Sequence, residues 1–265
     1  MPLICLGSPK GGVGKTMLTA NLAFAMQRLG LPVSVIDFDV QNALRLHFGM
    51  PLDDPRGYVA QAGQYADWQQ FAINTPTGIR LLPYGQADEA QRLQFETRLA
   101  EDPMFLAEAL QGLLSIPQMV VLADTPPGPS PALNALNRLA DIRIAVLLAD
   151  AASTALIPTI ERGSFFSPQD AKSLLPVTYI VNQVDRRRRL NLDSTEFLQS
   201  RLGASLLGLV HRDEALAEAL AMQVSIFTFD STSASASAYD IDRIAQQLGQ
   251  LIETIKRPSF DQRPG

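Results

Sequence analysis

Nine residues near the amino terminus constrain this chain more than any others: Ser8-Pro9-Lys10-Gly11-Gly12-Val13-Gly14-Lys15-Thr16. A short apolar run, residues 3–6, precedes them, and a helical pattern over residues 17–29 follows. Strand, glycine-rich turn and helix in that order make a cradle for phosphate. The glycines let successive backbone N–H groups curl around phosphate oxygens, and the helix N-terminus adds partial positive charge. In such a loop Lys15 reaches the β- and γ-phosphates and the Thr16 hydroxyl ligates Mg²⁺, so the pattern predicts an ATP- and Mg²⁺-binding hydrolase. The strict spacing calls for glycine at position 9, where this chain has Pro9.

The rest of the chain supplies a sheet to carry that loop. Apolar runs at residues 33–36, 119–123, 142–148, 177–181 and 206–210 are each followed by a helical pattern, and residues 79–82 add a further run. Continuous rather than alternating apolarity marks strands buried on both faces, which predicts a mostly parallel central sheet with helices on either side. We expect one α/β P-loop domain over residues 1–257 and a flexible polar tail over 258–265. Residues 53–78, with Pro55, Gly57, Gly63 and Pro76, read as a variable insertion between strands. Residues 241–255 carry apolar side chains at one-face helical spacing and predict a helix docked on the sheet.

Bulk properties narrow the function classes. The 265 residues are enough for one large α/β domain, and a net charge of −5 argues against a surface built mainly to coat nucleic acid. The single cysteine, Cys5, excludes an intrachain disulfide or an all-cysteine cluster, and with only two histidines a zinc site has no support. Cys5 falls in the first strand and reads as a small core residue. No basic leader and no apolar stretch of about 18 residues is visible, so a cytoplasmic chain without a transmembrane segment is expected.

Lys10-Gly11-Gly12-Val13-Gly14-Lys15-Thr16 resembles the deviant Walker A loop of the ParA/MinD family of ATPases, and the resemblance covers nearly the whole chain. It implies a head-to-head, ATP-dependent homodimer in which Lys10 crosses to the partner subunit's nucleotide. Lys10, Lys15 and Asp39 are then the catalytic candidates. Lys10, Gly11, Gly12, Val13, Gly14, Lys15, Thr16 and Met17 hold the nucleotide together with Asn182 and Arg212, and Thr16, Asp39 and Asp124 serve the metal. Asp39, in Val35-Ile36-Asp37-Phe38-Asp39, matches the family's water-orienting aspartate, although two aspartates so close after a strand also suit a turn cap. Asp37 has a supporting structural role on this reading. Val120-Val121-Leu122-Ala123-Asp124-Thr125-Pro126-Pro127-Gly128 resembles the family's Walker B strand and switch, with Asp124 near the metal. Asn182, ending a strand, matches an adenine-contacting asparagine, or else forms a turn. Arg212, in His211-Arg212-Asp213-Glu214-Ala215, either flanks the base or lies beside a helix start capped by Asp213.

Within that family, nitrogenase iron protein and iron–sulfur carrier relatives need ligating cysteines that are missing here. Tyrosine-kinase relatives carry a C-terminal tyrosine cluster, and MinD-type proteins end in a basic amphipathic helix; neither pattern is present. Leu81-Leu82-Pro83-Tyr84-Gly85-Gln86 and His211-Arg212-Asp213-Glu214-Ala215 resemble the BcsQ (YhjQ) family of cellulose-biosynthesis ATPases. That resemblance implies slow hydrolysis, a small accessory subunit, and a role at the inner-membrane cellulose synthase complex, with recruitment to the inner face of the membrane or the cell pole. A DNA-partition ATPase, or another MinD-like ATPase of polar or membrane localisation, is the alternative. The four arginines at 186–189 belong to a solvated loop, or contact nucleic acid, acidic lipid or an acidic partner. His47 reads as a packed or surface residue, and Trp68, Tyr65 and Phe71 as cover for the core.

Overall fold

The computed structural model describes residues 1–163, 165–166, 176–229 and 235–256. The apolar runs become the strands of an eight-stranded sheet. In chain order these are β1 (Leu3–Gly7), β2 (Val33–Asp37), β3 (Ile73–Asn74), β4 (Arg80–Leu82), β5 (Val120–Asp124), β6 (Ile142–Leu148), β7 (Thr178–Val184) and β8 (Leu206–His211). Their spatial order is β3-β4-β2-β5-β1-β6-β7-β8, and every neighbouring pair is parallel except β3 with β4. Every residue of β1, β2 and β5 is buried, which is why these segments show no polar alternation.

Helices cover both faces. On one side lie α1 (Lys15–Arg28), α7 (Ala215–Ala221), α8 (Ile226–Phe229) and α9 (Ala236–Lys256); on the other lie α2 (Glu89–Glu101), α3 (Phe105–Leu114), α4 (Pro131–Leu139), α5 (Ala151–Glu161) and α6 (Arg189–Leu202). The expected mostly parallel α/β sheet is therefore what forms. From β1 the chain moves to β2 on one side of the sheet and later to β6 on the other. Such a reversal opens a crevice beyond the carboxyl ends of the strands, and the glycine loop after β1 lies there.

Two elements depart from the sequence reading. The last helix begins at Ala236, before the expected 241, because Ser235 Oγ accepts from Ala238 N at 3.1 Å and supplies an N-cap. Ile241, Ile244, Ala245, Leu248 and Ile252 then pack inward, as the spacing predicted. The tail expected over 258–265 lies outside the described residues.

The irregular insertion also contributes more than a surface excursion. It holds 3₁₀ turns at Val59–Gln61 and Trp68–Phe71 and the unforeseen short strand β3. Tyr58 and Trp68 are fully buried and stack at 4.5 Å between ring centroids, with Phe95 and Phe105 edge-on around them. The Tyr58 hydroxyl donates to Asp37 O at 3.1 Å, which ties the insertion to the end of β2. A Cβ on Gly57 would overlap the backbone of Gly85, so the chain can cross its own path only at these glycines. Of the three aromatics expected to cover core, Trp68 does so fully and Phe71 in part, while Tyr65 is 43% exposed.

Removing a fully buried aromatic leaves a cavity as well as losing transfer free energy. Trp68→Ala should lower stability by about 3–5 kcal/mol in urea unfolding, and Tyr65→Ala by less than about 1 kcal/mol.

Candidate nucleotide site

The loop between β1 and α1 is set by backbone conformation and by three external hydrogen bonds. Gly12 and Gly14 have φ of 73° and 85°, a region that other residues enter only with strain. Gly14 is the N-cap of α1, and a Cβ there would collide with the Asn182 side-chain amide. Asn182 Nδ2 donates to Val13 O at 2.8 Å, Gly128 N donates to Ser8 O at 2.8 Å, and Thr125 Oγ1 donates to Leu6 O at 2.8 Å. The loop is thus braced from β7 on one side and from the Thr-Pro-Pro-Gly turn after β5 on the other.

Lys15 opens α1 and is 6% exposed. One residue on, Thr16 Oγ1 donates to Asp124 Oδ2 at 2.6 Å, and Thr19 Oγ1 lies 3.3 Å from the other oxygen of the same carboxylate. Asp37 stands opposite Asp124 in the β2–β5 register. Its carboxylate accepts from Asp39 N at 2.9 Å and Leu44 N at 3.1 Å, which shapes the turn after β2 and matches the structural role expected of it. Asp39 is half-buried, and its Oδ1 accepts from Gln41 N at 2.9 Å, so the turn-cap reading of this pair holds geometrically. That bond occupies one oxygen of Asp39 and leaves the carboxylate at the carboxyl edge of the sheet.

In the single chain Lys10 makes a contact of its own. Its Nζ donates to Asp150 Oδ2 at 2.7 Å, within the same subunit. Asp150 caps α5 by accepting from Ser153 N at 2.7 Å. Burial works against its charge, but the bonds from Lys10 and Ser153 hold its carboxyl below the usual range. Sequence reasoning passed over Asp150. The available signal was an aspartate directly after an apolar strand and before a helix, at the same edge of a parallel sheet as the loop.

The strand that carries Asn182 runs on to Val184 rather than ending at Asn182, through a register shift at which Gln183 adopts φ 57°. Asn182 is 1% exposed, and its Oδ1 has no partner among the described residues. It faces a pocket of about 370 Å³ beside Gly14 and Met17, closed by His211, Arg212 and Leu216. Arg212 is exposed, 3.6 Å from Glu214, and Asp213 accepts from Ala215 N at the start of α7. The structure therefore brings Met17, Asn182 and Arg212 to one pocket and also shows the helix-start arrangement. An apolar slot next to a phosphate loop, with an orphaned buried amide oxygen, fits a purine that offers an N–H donor.

Two residues away from this edge are core. Cys5 is buried, and burial pushes its thiol up to about 12. His47 is packed inside, where burial pulls it down to about 4.

The family model for the cellulose biosynthesis protein BcsQ matches residues 1–247. This chain belongs to the BcsQ family. It is 31% identical over 245 residues to the cellulose biosynthesis protein BcsQ of Salmonella typhimurium, covering 89% of this chain and 90% of that protein. The Escherichia coli protein of the same name is likewise 31% identical, over 241 residues, with the same coverage of each chain. Among solved structures, the fold is similar to the septum site-determining protein MinD complexed with Mg-ADP from Pyrococcus horikoshii. There the TM-score is 0.75 at 20% identity, covering 96% of this chain and 98% of that one. The cell division ATPase MinD of Pyrococcus furiosus gives 0.74 at 22% identity, over 94% and 99%. The BcsQ-family sequence thus adopts the MinD/ParA P-loop fold.

In this BcsQ-family chain the buried carboxylates are the electrostatic centre of the site. Burial raises Asp124 to about 6, against the opposing pull of Lys15 and the Thr16 hydrogen bond. Asp37 is raised well above the usual range, first by burial and then by Asp124. Clustered oxygen donors from Thr16, Asp124 and Asp39 at one sheet edge suit a hard divalent cation such as Mg²⁺. Without one, a raised carboxyl contributes its full stability below its unfolded pKa near 4 and loses it as pH rises through about 6. Asp124→Asn should therefore be more stable than the parent at pH 7.5 by about 1–3 kcal/mol, in EDTA and without nucleotide. The gap should shrink toward pH 4 in urea unfolding.

Proposed function

We propose that this chain is a Mg-ATP-dependent dimerisation switch that hydrolyses ATP slowly and localises or regulates the bacterial cellulose synthase complex. The observation that carries the reading is the phosphate loop with two lysines in different settings. Lys15 is buried beside the Thr16–Asp124 pair, whereas the Lys10 side chain stands on the rim, 27% exposed, and among the described residues is held by Asp150 alone.

On this reading Gly11, Gly12, Val13 and Gly14 present their N–H groups to the phosphates, and Lys15 places its charge between the β- and γ-phosphates. Thr16, Asp124 and Asp39 would hold Mg²⁺ or its bound waters, and that ion would offset charge on the phosphate oxygens. Asp39 orients the attacking water. Asn182 keeps Val13 in place with its amide N–H and accepts from the adenine amino group with Oδ1, and Arg212 flanks the base. Lys10 exchanges Asp150 for the nucleotide of a second subunit, so that ATP closes the dimer and hydrolysis reopens it.

Residues 1–257 act as one ATPase domain. Among the described residues no helix is long and apolar enough to cross a membrane. On this reading a small accessory subunit and the cellulose synthase complex are the partners, with recruitment to the inner face of the membrane or the cell pole. The names of the similar proteins support cellulose synthesis as the process served. The DNA-partition alternative needs the arginines at 186–189 and other basic residues to form one contiguous patch, and the Asp185 carboxylate offsets part of that charge. Arg187 lies 2.9 Å and Arg188 3.5 Å from Asp185.

Calorimetric titration with Mg-ATP and a phosphate-release assay test the assignment. Lys15→Ala should weaken binding at least tenfold and reduce hydrolysis to background. Lys10→Ala should keep single-chain affinity within about threefold while losing hydrolysis. Unchanged binding by Lys15→Ala would remove the nucleotide site from this loop.

A further inference from the structure

The two edges of the sheet are finished in different ways. An edge strand offers unpaired N–H and C=O groups to any other strand, and soluble proteins blunt it by brevity, charge, proline or a cover. At one edge β3 has only two residues. At the other, β8 has six, Leu-Leu-Gly-Leu-Val-His, with no proline and no Lys, Arg, Asp or Glu, and among the described residues no strand lies beyond it. His211 N is taken by Asp240 Oδ2 at 2.9 Å, whereas residues 207–209, with β7 on their inner side, are partly exposed.

A groove of about 260 Å³ follows that stretch, between Gln199 of α6 and the Arg243 and Gln247 turns of α9. A Cβ on Gly208 would meet Ile244 at 2.6 Å, so α9 sits close on the face of β8 while its outer edge stays open. Two cationic side chains and one carboxylate line the groove. Arg186 and Arg243 are both exposed and form no ion pair among the described residues. Asp240, the groove's own carboxylate, is engaged by the His211 ring at 2.7 Å.

We propose that β8 receives an extended acidic segment of a partner protein as a ninth strand. Main-chain hydrogen bonds to residues 207–209 give affinity, and carboxylates on the segment meet Arg186 and Arg243. A second copy of this chain fits less well, because symmetric pairing of two β8 edges brings the arginines of both grooves together. The proposal does not depend on ATP-driven dimerisation. His211 borders both this groove and the pocket beside Gly14, so the two sites share one wall.

The test is a display selection of random peptides of about a dozen residues on the full chain with Mg-ATP, counter-selected on the Arg186→Glu/Arg243→Glu double variant. Enriched peptides should be acidic with alternating apolar residues. Binding by the synthesised peptides should weaken at least tenfold in the variant, whose ATP affinity stays unchanged, and amide exchange of residues 207–209 should slow in the complex. The proposal is overturned if no peptide is enriched over the variant, or if binding survives charge reversal. Protection elsewhere than 207–209, or a concentration-dependent dimer in place of a peptide complex, would overturn it as well.

Discussion

Asp124 sits at the carboxyl end of β5 in full burial, accepting a hydrogen bond from Thr16 while Asp37 stands opposite it on β2. Two carboxylates so placed, with one buried lysine nearby, form a site whose charge is incomplete in the protein alone. Burial pushes both acids toward protonation, with the Asp124 charge adding to the shift of Asp37 and the Asp39 charge to that of Asp124. A divalent cation with bound phosphate is the kind of ligand that relieves such an arrangement, because it brings charge that these side chains do not supply. The strand order depends on the same point. Parallel β1, β2 and β5 converge their carboxyl ends, so the loop, the Thr16 hydroxyl and both aspartates meet without a long excursion of the chain.

The loop itself is held by its neighbours more than by its own sequence. Asn182, Gly128 and Thr125 reach it from β7 and from the turn after β5. Lys10 is the exception. Its contact with Asp150 is an ion pair between two partly exposed side chains, and such pairs are worth little in water. It is therefore easily exchanged for a phosphate. The loop thus holds one buried lysine and one that is only weakly tied.

Much of this was legible in the sequence, for identifiable reasons. Strands buried on both faces leave continuous apolar runs, and a run ending in Asp124 places that carboxylate at the sheet edge. The glycine loop fixes its own position between strand and helix. Long-range partners were not legible: Lys10 and Asp150 are 140 residues apart, and Val13 and Asn182 are 169 apart. Nothing local announces such pairs. The shift at Gln183 went unseen because strand pattern alone does not register a bulge. Trp68 was legible as core cover, but its stack with Tyr58 was hidden by the prolines and glycines of the insertion, which read as loop until the aromatic spacing is given a third dimension.

The central claim is that nucleotide state sets the number of subunits. Light scattering coupled to size exclusion on Asp39→Ala measures this most directly, since the variant should bind Mg-ATP and fail to consume it. The account predicts twice the chain mass with Mg-ATP and the single-chain mass with Mg-ADP. Equal mass in both nucleotides would contradict it, leaving a phosphate site whose output is something other than dimerisation.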